Sequence, residues 1–293
     1  MSAAAHIETL VNTRDVLGEA PLWCPREQSL YWGDLLKPAI HRFHPATGTL
    51  QSWTPPVKFG SFSLRAQGGL ILAARTGVVF YDPEQGTLEP LCQPEADRPN
   101  NIPNDGKCDR QGRFWFGSMD KMLQQETGAL YRIDPDGSYR RMEERVFLSN
   151  GLGFSPDDRD FYHTDTHHHV IHVYDFDADT GAIRNRRVLV DTHNQPGETD
   201  GMTVDAEGFL WSTQFAGSRV VRYTPDGRVD RVIELPVSRP TSCVFGGAAL
   251  DVLYVTTATF RLPEPERAQQ PAAGGILAVH VGVKGLPEPR FGG

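Results

Sequence analysis

The chain has 293 residues, little cysteine and no long apolar run. Its four cysteines, Cys24, Cys92, Cys108 and Cys243, form no Cys-x-x-Cys pair and no zinc-ligand spacing. A disulfide-stapled scaffold and a zinc ribbon are therefore excluded, and free buried thiols in a reducing cytosol are expected. No segment approaches the ~20 apolar residues of a membrane-spanning helix. The segment Met1-Ser2-Ala3-Ala4-Ala5-His6 lacks a basic region followed by an apolar stretch. The expectation is a cytoplasmic protein. Positive charge is not in excess: 29 Lys and Arg stand against 37 Asp and Glu, a formal net charge of -8. That balance argues against nucleic acid or an anionic membrane as partner and suits a small neutral substrate or cations. Sustained helical periodicity is missing, so helices should be few and short. There is no Gly-x-Ser-x-Gly elbow and no P-loop, which leaves serine-hydrolase and nucleotide chemistry unsupported.

What the chain has is repetition. The 29 Gly and 22 Pro fit a protein of many strands and tight turns. Six times a short polar element is followed by a small or turn residue and an apolar strand. These are Gly18-Glu19-Ala20-Pro21-Leu22-Trp23, Phe59-Gly60-Ser61-Phe62, Pro103-Asn104-Asp105-Gly106, Ser149-Asn150-Gly151-Leu152, Thr199-Asp200-Gly201-Met202 and Pro240-Thr241-Ser242-Cys243. The spacing is roughly 40–50 residues, that of a four-stranded propeller blade. Within repeats the strands recur, as in Arg113-Phe114-Trp115-Phe116 and Ala129-Leu130-Tyr131-Arg132-Ile133, closed by Asp134-Pro135-Asp136-Gly137. The reading is an all-β, six-bladed β-propeller over residues 1–293 as a single domain, with a divalent metal on the central axis. His6-Ile7-Glu8-Thr9-Leu10 should pair with the last repeat and close the ring, leaving no exposed edge. Trp32, Trp115 and Trp211 recur at matching positions and read as core between blades. Met122–Thr127 and Arg261–Ala273 read as irregular loops.

Equivalent positions of a closed ring would bring Glu19, Asn104, Asn150 and Asp200 to one mouth of the axis. Each pair such as Asn150-Gly151 could by itself be only a turn. Six-fold equivalence argues for more, because Glu19 is a poor turn former. A Glu, an Asp and Asn residues offer only hard oxygen donors. Such a set suits Ca, Mg or Mn, and carboxylates also accept Zn or Fe(II). A divalent ion beside a carboxylate can polarise a carbonyl and activate water. His167-His168-His169 reads instead as a hairpin tip, since consecutive strand residues point to opposite faces.

Several segments carry a resemblance: Leu17-Gly18-Glu19-Ala20-Pro21-Leu22-Trp23, Pro103-Asn104-Asp105-Gly106-Lys107, Gly112 to Met119, Gly128-Ala129-Leu130-Tyr131, Ser149-Asn150-Gly151, Phe161 to Asp165, Asp200 to Asp205, Cys243 to Gly247 and Ala273 to Leu277. In this order and along nearly the whole chain they resemble the gluconolactonase/regucalcin family, which includes senescence marker protein and luciferin-regenerating enzyme. The resemblance implies a metal-dependent lactonase acting on a sugar-type or related small lactone. It maps metal ligands onto Glu19, Asn150 and Asp200, water activation onto Asp200, and substrate contact onto Asn104. Asn101 and Ile102 are counted with the substrate residues. Sugar-lactone members often carry an Arg where this chain has Ile102. That departure implies a less polar lactone or a sugar held by other groups, with Asn100, Asn101, Arg65 or the Arg261 loop as substitutes. Two other readings share the residues: a hydrolase of phosphotriesters or activated esters, and a metal-binding scaffold without catalysis. The expected partner is a small lactone, with no nucleic acid and no membrane, on a monomer or weak homo-oligomer.

Overall fold

The computed structural model describes residues 5–293. Alternating apolar residues and tight turns fold into six four-stranded antiparallel sheets, the blades of a six-bladed β-propeller. Blade 1 runs from Gly18–Cys24 to Thr49–Trp53, blade 2 from Phe59–Leu64 to Thr87–Cys92, and blade 3 from Asn101–Cys108 to Tyr139–Val146. Blade 4 runs from Ser149–Phe154 to Ala182–Asp191 and blade 5 from Glu198–Val204 to Val229–Glu234. Blade 6 combines Pro240–Gly246, Val252–Thr257 and Gly275–His280 with the N-terminal strand His6–Asn12. The expected closure is observed: His6 pairs with His280 and Ile7 with Val279, so the edge of the last strand is covered. No helix among the described residues is long and apolar enough to cross a membrane.

The chain divides into two compact units. One comprises Met1–Ser52 and Asn194–Pro287, the other Trp53–His193 and Glu288–Gly293. The first holds blades 5, 6 and 1, apart from the last residue of the outer strand of blade 1. The second holds blades 2, 3 and 4.

In both units the inner strands are more enclosed than the outer ones. Gly18–Cys24 and Ser149–Phe154 are buried at every position, whereas the outer strand Thr49–Trp53 is mostly exposed. The three recurrent tryptophans are fully buried between blades, as expected. In the first unit Trp211 packs with Cys243, Phe245 and Leu253. In the second, Trp115 packs with Leu152, Phe154 and Phe161. Each indole N–H finds a buried carboxylate: Trp32 Nε1 donates to Asp15 at 2.8 Å, Trp115 to Asp109 at 3.0 Å and Trp211 to Asp205 at 2.9 Å. A buried donor left without an acceptor would cost about 1–3 kcal/mol, so these aspartates let the rings be buried whole.

Three expectations need correction. The segment Arg261–Ala273 is not wholly irregular, since it forms a short helix over Glu264–Ala268 opened by Pro263 and Pro265. Cys92 is only half-buried, while Cys24, Cys108 and Cys243 are buried; all four are free thiols. Arg65 lies at the end of its strand away from Phe59-Gly60, donating to the Gly293 carbonyl at 3.1 Å and stacking over Phe80, so it stands away from Asn104.

Candidate functional site

All six repeated elements lie inside the first strand of a blade, not in turns before it. The pairing register slips between Glu19 and Leu22, Phe59 and Ser61, Pro103 and Gly106, Asn150 and Leu152, Thr199 and Met202, and Pro240 and Ser242. Each element is therefore a β-bulge. A bulge inserts an unpaired residue, bends its strand and re-aims a side chain. The small residues that look like turn formers have a second cause. A Cβ on Gly60 would meet the Pro103 carbonyl oxygen at 2.3 Å, and one on Gly201 would meet Ser242 Oγ at 2.2 Å. Neighbouring inner strands touch at these points, and only glycine leaves room.

In the first unit, Glu19 and Asp200 occupy the bulges of blades 1 and 5, and each is 8% exposed. Ala20, next to Glu19, sits at φ 49°, a left-handed conformation that a residue with a Cβ adopts at a cost. The Ala20 N–H donates to Glu19 Oε2 at 3.1 Å, which restrains the carboxylate. Threonines tie the three inner strands together. Thr213 Oγ1 lies 2.9 Å from the Gly201 carbonyl oxygen and 2.7 Å from that of Thr241, and Thr241 Oγ1 donates to the Gly18 carbonyl at 2.5 Å. Two of these links end on Gly201 and Gly18, one residue from Asp200 and Glu19.

The second unit brings Asn104 and Asn150 together. Asn104 Nδ2 lies 2.8 Å from both the Ser149 carbonyl oxygen and Asn150 Oδ1. Asn150, 6% exposed, donates through Nδ2 to Thr166 Oγ1 at 2.9 Å. These two bonds set the amide so that Oδ1 faces Asn104 with a second lone pair still available. Asn101 is held differently. Its Nδ2 donates to Glu95 at 2.9 Å and to the Thr127 carbonyl at 2.7 Å, and its Oδ1 accepts from Thr127 Oγ1. Ile102, half-buried and on the same strand as Asn101, pairs with Met119 of the next strand. The histidine run forms the turn after the second strand of blade 4, where His168 lies 2.8 Å from Asp165 and 3.1 Å from Glu126.

Two neighbours were not singled out from the sequence. Burial pushes the Asp105 carboxyl up to about 6, against the pull of the Gly106 N–H and the Lys107 ammonium. Lys107 in turn pairs at 3.1 Å with Glu288, a contact between positions 181 residues apart. His163, only 1% exposed, lies with Nε2 2.8 Å from Ser149 Oγ, under the residue that precedes Asn150. Burial lowers its pKa to about 4; His172 and Arg186 push the same way and Asp165 opposes them. Asp105 sits within a motif visible in the sequence. Nothing local distinguishes His163 from its surface counterparts.

Among the described residues no three His, Cys, Asp or Glu side chains are grouped to hold a metal. The expected set contains only two such residues, its third donor being an amide oxygen. By chemistry the set fits a hard divalent cation: the carboxylates of Glu19 and Asp200 and an oriented amide, all buried.

A family model described as the SMP-30/Gluconolactonase/LRE-like region matches residues 17–259. A protein of Pseudomonas putida named 6-deoxy-6-sulfogluconolactonase is 38% identical over 288 residues, covering 98% of this chain and 99% of its own. Regucalcin of Xenopus laevis is 34% identical over 298 residues, covering 99% and 100%. Among solved structures, a calcium-binding protein, regucalcin, from Agrobacterium tumefaciens superimposes with a TM-score of 0.93 at 27% identity, covering 99% of this chain and 97% of that one.

Proposed function

The chain belongs to the SMP-30/Gluconolactonase/LRE-like family, and on that premise we propose that it is a hydrolase that opens small lactones of the sugar type. The observation that carries the reading is the placement of the bulges. Glu19, Asn104, Asn150 and Asp200 each fall at the register slip in the inner strand of a different blade. A scaffold has no need to aim four oxygen-bearing side chains from bulged inner strands. The relative in Pseudomonas putida is named for a sulfonated gluconolactone, so we carry over a gluconolactone-type ring as substrate class.

In this reading Glu19, Asn150 and Asp200 hold one divalent cation, with Ca, Mg, Mn, Zn and Fe(II) all compatible with the donors. When bound, the ion would polarise the lactone carbonyl and stabilise the negative charge that develops on its oxygen. The Asp200 carboxylate takes a proton from water as the water oxygen bonds to the carbonyl carbon. The ring C–O bond then breaks, and the proton passes to the departing alkoxide, giving a hydroxy acid. Asn104 fixes Asn150 and turns toward the lactone. Ile102 lines the substrate side without donating to it. Asn101 shapes the adjoining loop, its amide being committed to Glu95 and Thr127.

A pH-stat assay over a lactone panel tests the proposal, with chelator and then with each metal restored. Ring opening well above the spontaneous rate, lost with chelator and regained with metal, is the expected result. No turnover of any lactone with any metal would overturn it.

A further inference from the structure

Most arginines of the second unit have carboxylate partners. Arg98 reaches Glu144 at 3.1 Å, Arg113 reaches Asp109 at 3.1 Å, and Arg141 reaches Asp97 at 3.0 Å. Two cations at the start of blade 2 differ. Lys58 and Arg75 are exposed, and neither has an ion pair or side-chain hydrogen bond among the described residues. They are also neighbours, because the Arg75 N–H donates to the Lys58 carbonyl at 2.8 Å, extending the Phe59–Ala74 pairing by one position. Like charges facing each other across strands repel. In a chain of net charge -8, no shortage of carboxylates explains a cationic pair left without one.

Their position ties them to the site. Gly60 lies two residues beyond Lys58 and packs so closely on Asn104 that an added Cβ would be 2.7 Å from its Cα. Arg75 and Thr76 line a cavity of about 280 Å³ together with Arg98, Asn101, Pro103 and Phe116. The cavity thus abuts Asn104, through Pro103, on one side and presents a guanidinium on the other. It has room for a substituent of the ring. One carboxylate, Glu95, also lines it, but its oxygens accept from Asn101 Nδ2 and Ser118 Oγ. Arg98 is paired with Glu144, so Arg75 is the arginine of this cavity without a carboxylate partner among the described residues.

We propose that Arg75, supported by Lys58, is the specificity determinant for an oxyanionic substituent on the lactone: a sulfonate, phosphate or carboxylate carried on the exocyclic carbon. The proposal rests on the lactonase reading for its substrate and names the group that the ring bears. A guanidinium fork matches an oxyanion with two parallel hydrogen bonds, which a neutral hydroxymethyl cannot return. It also gives Ile102 a physical sense. Recognition moves from the ring hydroxyls to the charged end of the substrate.

The test compares glucono-δ-lactone with its 6-deoxy-6-sulfo and 6-phospho counterparts, using metal-supplied wild type, Arg75→Gln, Arg75→Lys and Lys58→Gln/Arg75→Gln. The readout is the ratio of kcat/KM for the anionic lactones to that for the neutral one. It should exceed unity by about 10- to 100-fold in the wild type, the range of a charge-assisted hydrogen bond. Arg75→Gln should remove most of that margin, Arg75→Lys should keep part, and rising salt should reduce it. A wild-type ratio near one, or a margin that survives in the double variant, overturns the proposal. Calorimetric binding of methyl 6-deoxy-6-sulfoglucoside against methyl glucoside decides the subsite without hydrolysis. If no lactone is opened, the lactonase reading falls. The subsite then stands if the sulfonate binds at least tenfold tighter and loses this in Arg75→Gln, and falls otherwise.

Discussion

His163 should make the protein sensitive to mild acid, and the size of the effect follows from its burial. The imidazole is almost fully enclosed and bonded to Ser149 Oγ, and its pKa is lowered to about 4 from an ordinary 6.5. The groups facing it are Asp165, which favours the charged ring, and His172 and Arg186, which oppose it. In the unfolded chain the ring gains its proton near pH 6.5, whereas in the folded chain it resists until about pH 4. A depressed folded value means that the contribution is fully present above pH 6.5 and is lost as pH falls toward 4. At 1.36 kcal/mol per pH unit the loss is roughly 2 kcal/mol by pH 5 and about 3 kcal/mol by pH 4. His163→Gln keeps a side chain able to bond Ser149 and removes the titration. Other acid-sensitive groups are common to both proteins. Denaturant unfolding of each at fixed pH should therefore show the gap in their stability shrinking by these amounts between pH 7 and pH 4. In parallel, the His163 ring carbon should keep its neutral NMR shift at pH 5.5. A gap that stays constant within about 0.5 kcal/mol, less than half a pH unit's worth, or a His163 ring charged at pH 5.5, refutes the reasoning.

Three further outcomes are expected. Asp200→Asn should lower lactone turnover by about 10²–10⁴-fold, the usual worth of a general base, with circular dichroism unchanged; near wild-type turnover with metal bound would remove Asp200 as the base. Glu19→Gln and Asn150→Ala should each raise the metal concentration for half-maximal activity by about tenfold or more, a change of ~1.4 kcal/mol, with rescue at high metal; metal titrations that match the wild type would take both out of the coordination sphere. Gly60→Ala forces a methyl group against the Pro103 carbonyl, so it should cost roughly 1–3 kcal/mol and displace Asn104, seen as lower Tm and lower kcat/KM together; an unperturbed Tm would mean that the strands separate freely there.

The strands, the blade count and the N-terminal closure were legible because period-2 alternation and turn residues are local signals. Leu30-Tyr31-Trp32, Phe161-Tyr162-His163 and Leu253-Tyr254-Val255 all fall on second strands of blades, and His6–Leu10 lies on the strand that seals the last one. The recurrent tryptophans were legible as core for the same reason: a large ring at one repeat position must be buried at all of them. The helix over Glu264–Ala268 was less visible, being a single turn or so in a proline-rich segment.

Identity and order of the candidate site residues were in the sequence; their geometry was not. Asn-Gly and Asp-Gly read as turns, because a bulge is defined by register with a second strand and no single segment encodes that register. Glycine at positions 60 and 201 answers to Pro103 backbone and to Ser242 of a neighbouring blade, contacts of tertiary origin. The Asn104–Asn150 bond and the Lys107–Glu288 pair join residues 46 and 181 positions apart, and only packing selects such partners. The same holds for charge. Composition set the net balance of the chain, but which carboxylates neutralise which arginines was decided by the fold. That choice left Lys58 and Arg75 together at the edge of the cavity beside Asn104. It also placed Arg65 at the other end of its strand, because the tail residues Phe291 and Gly293 dock there through hydrogen bonds that local sequence does not specify.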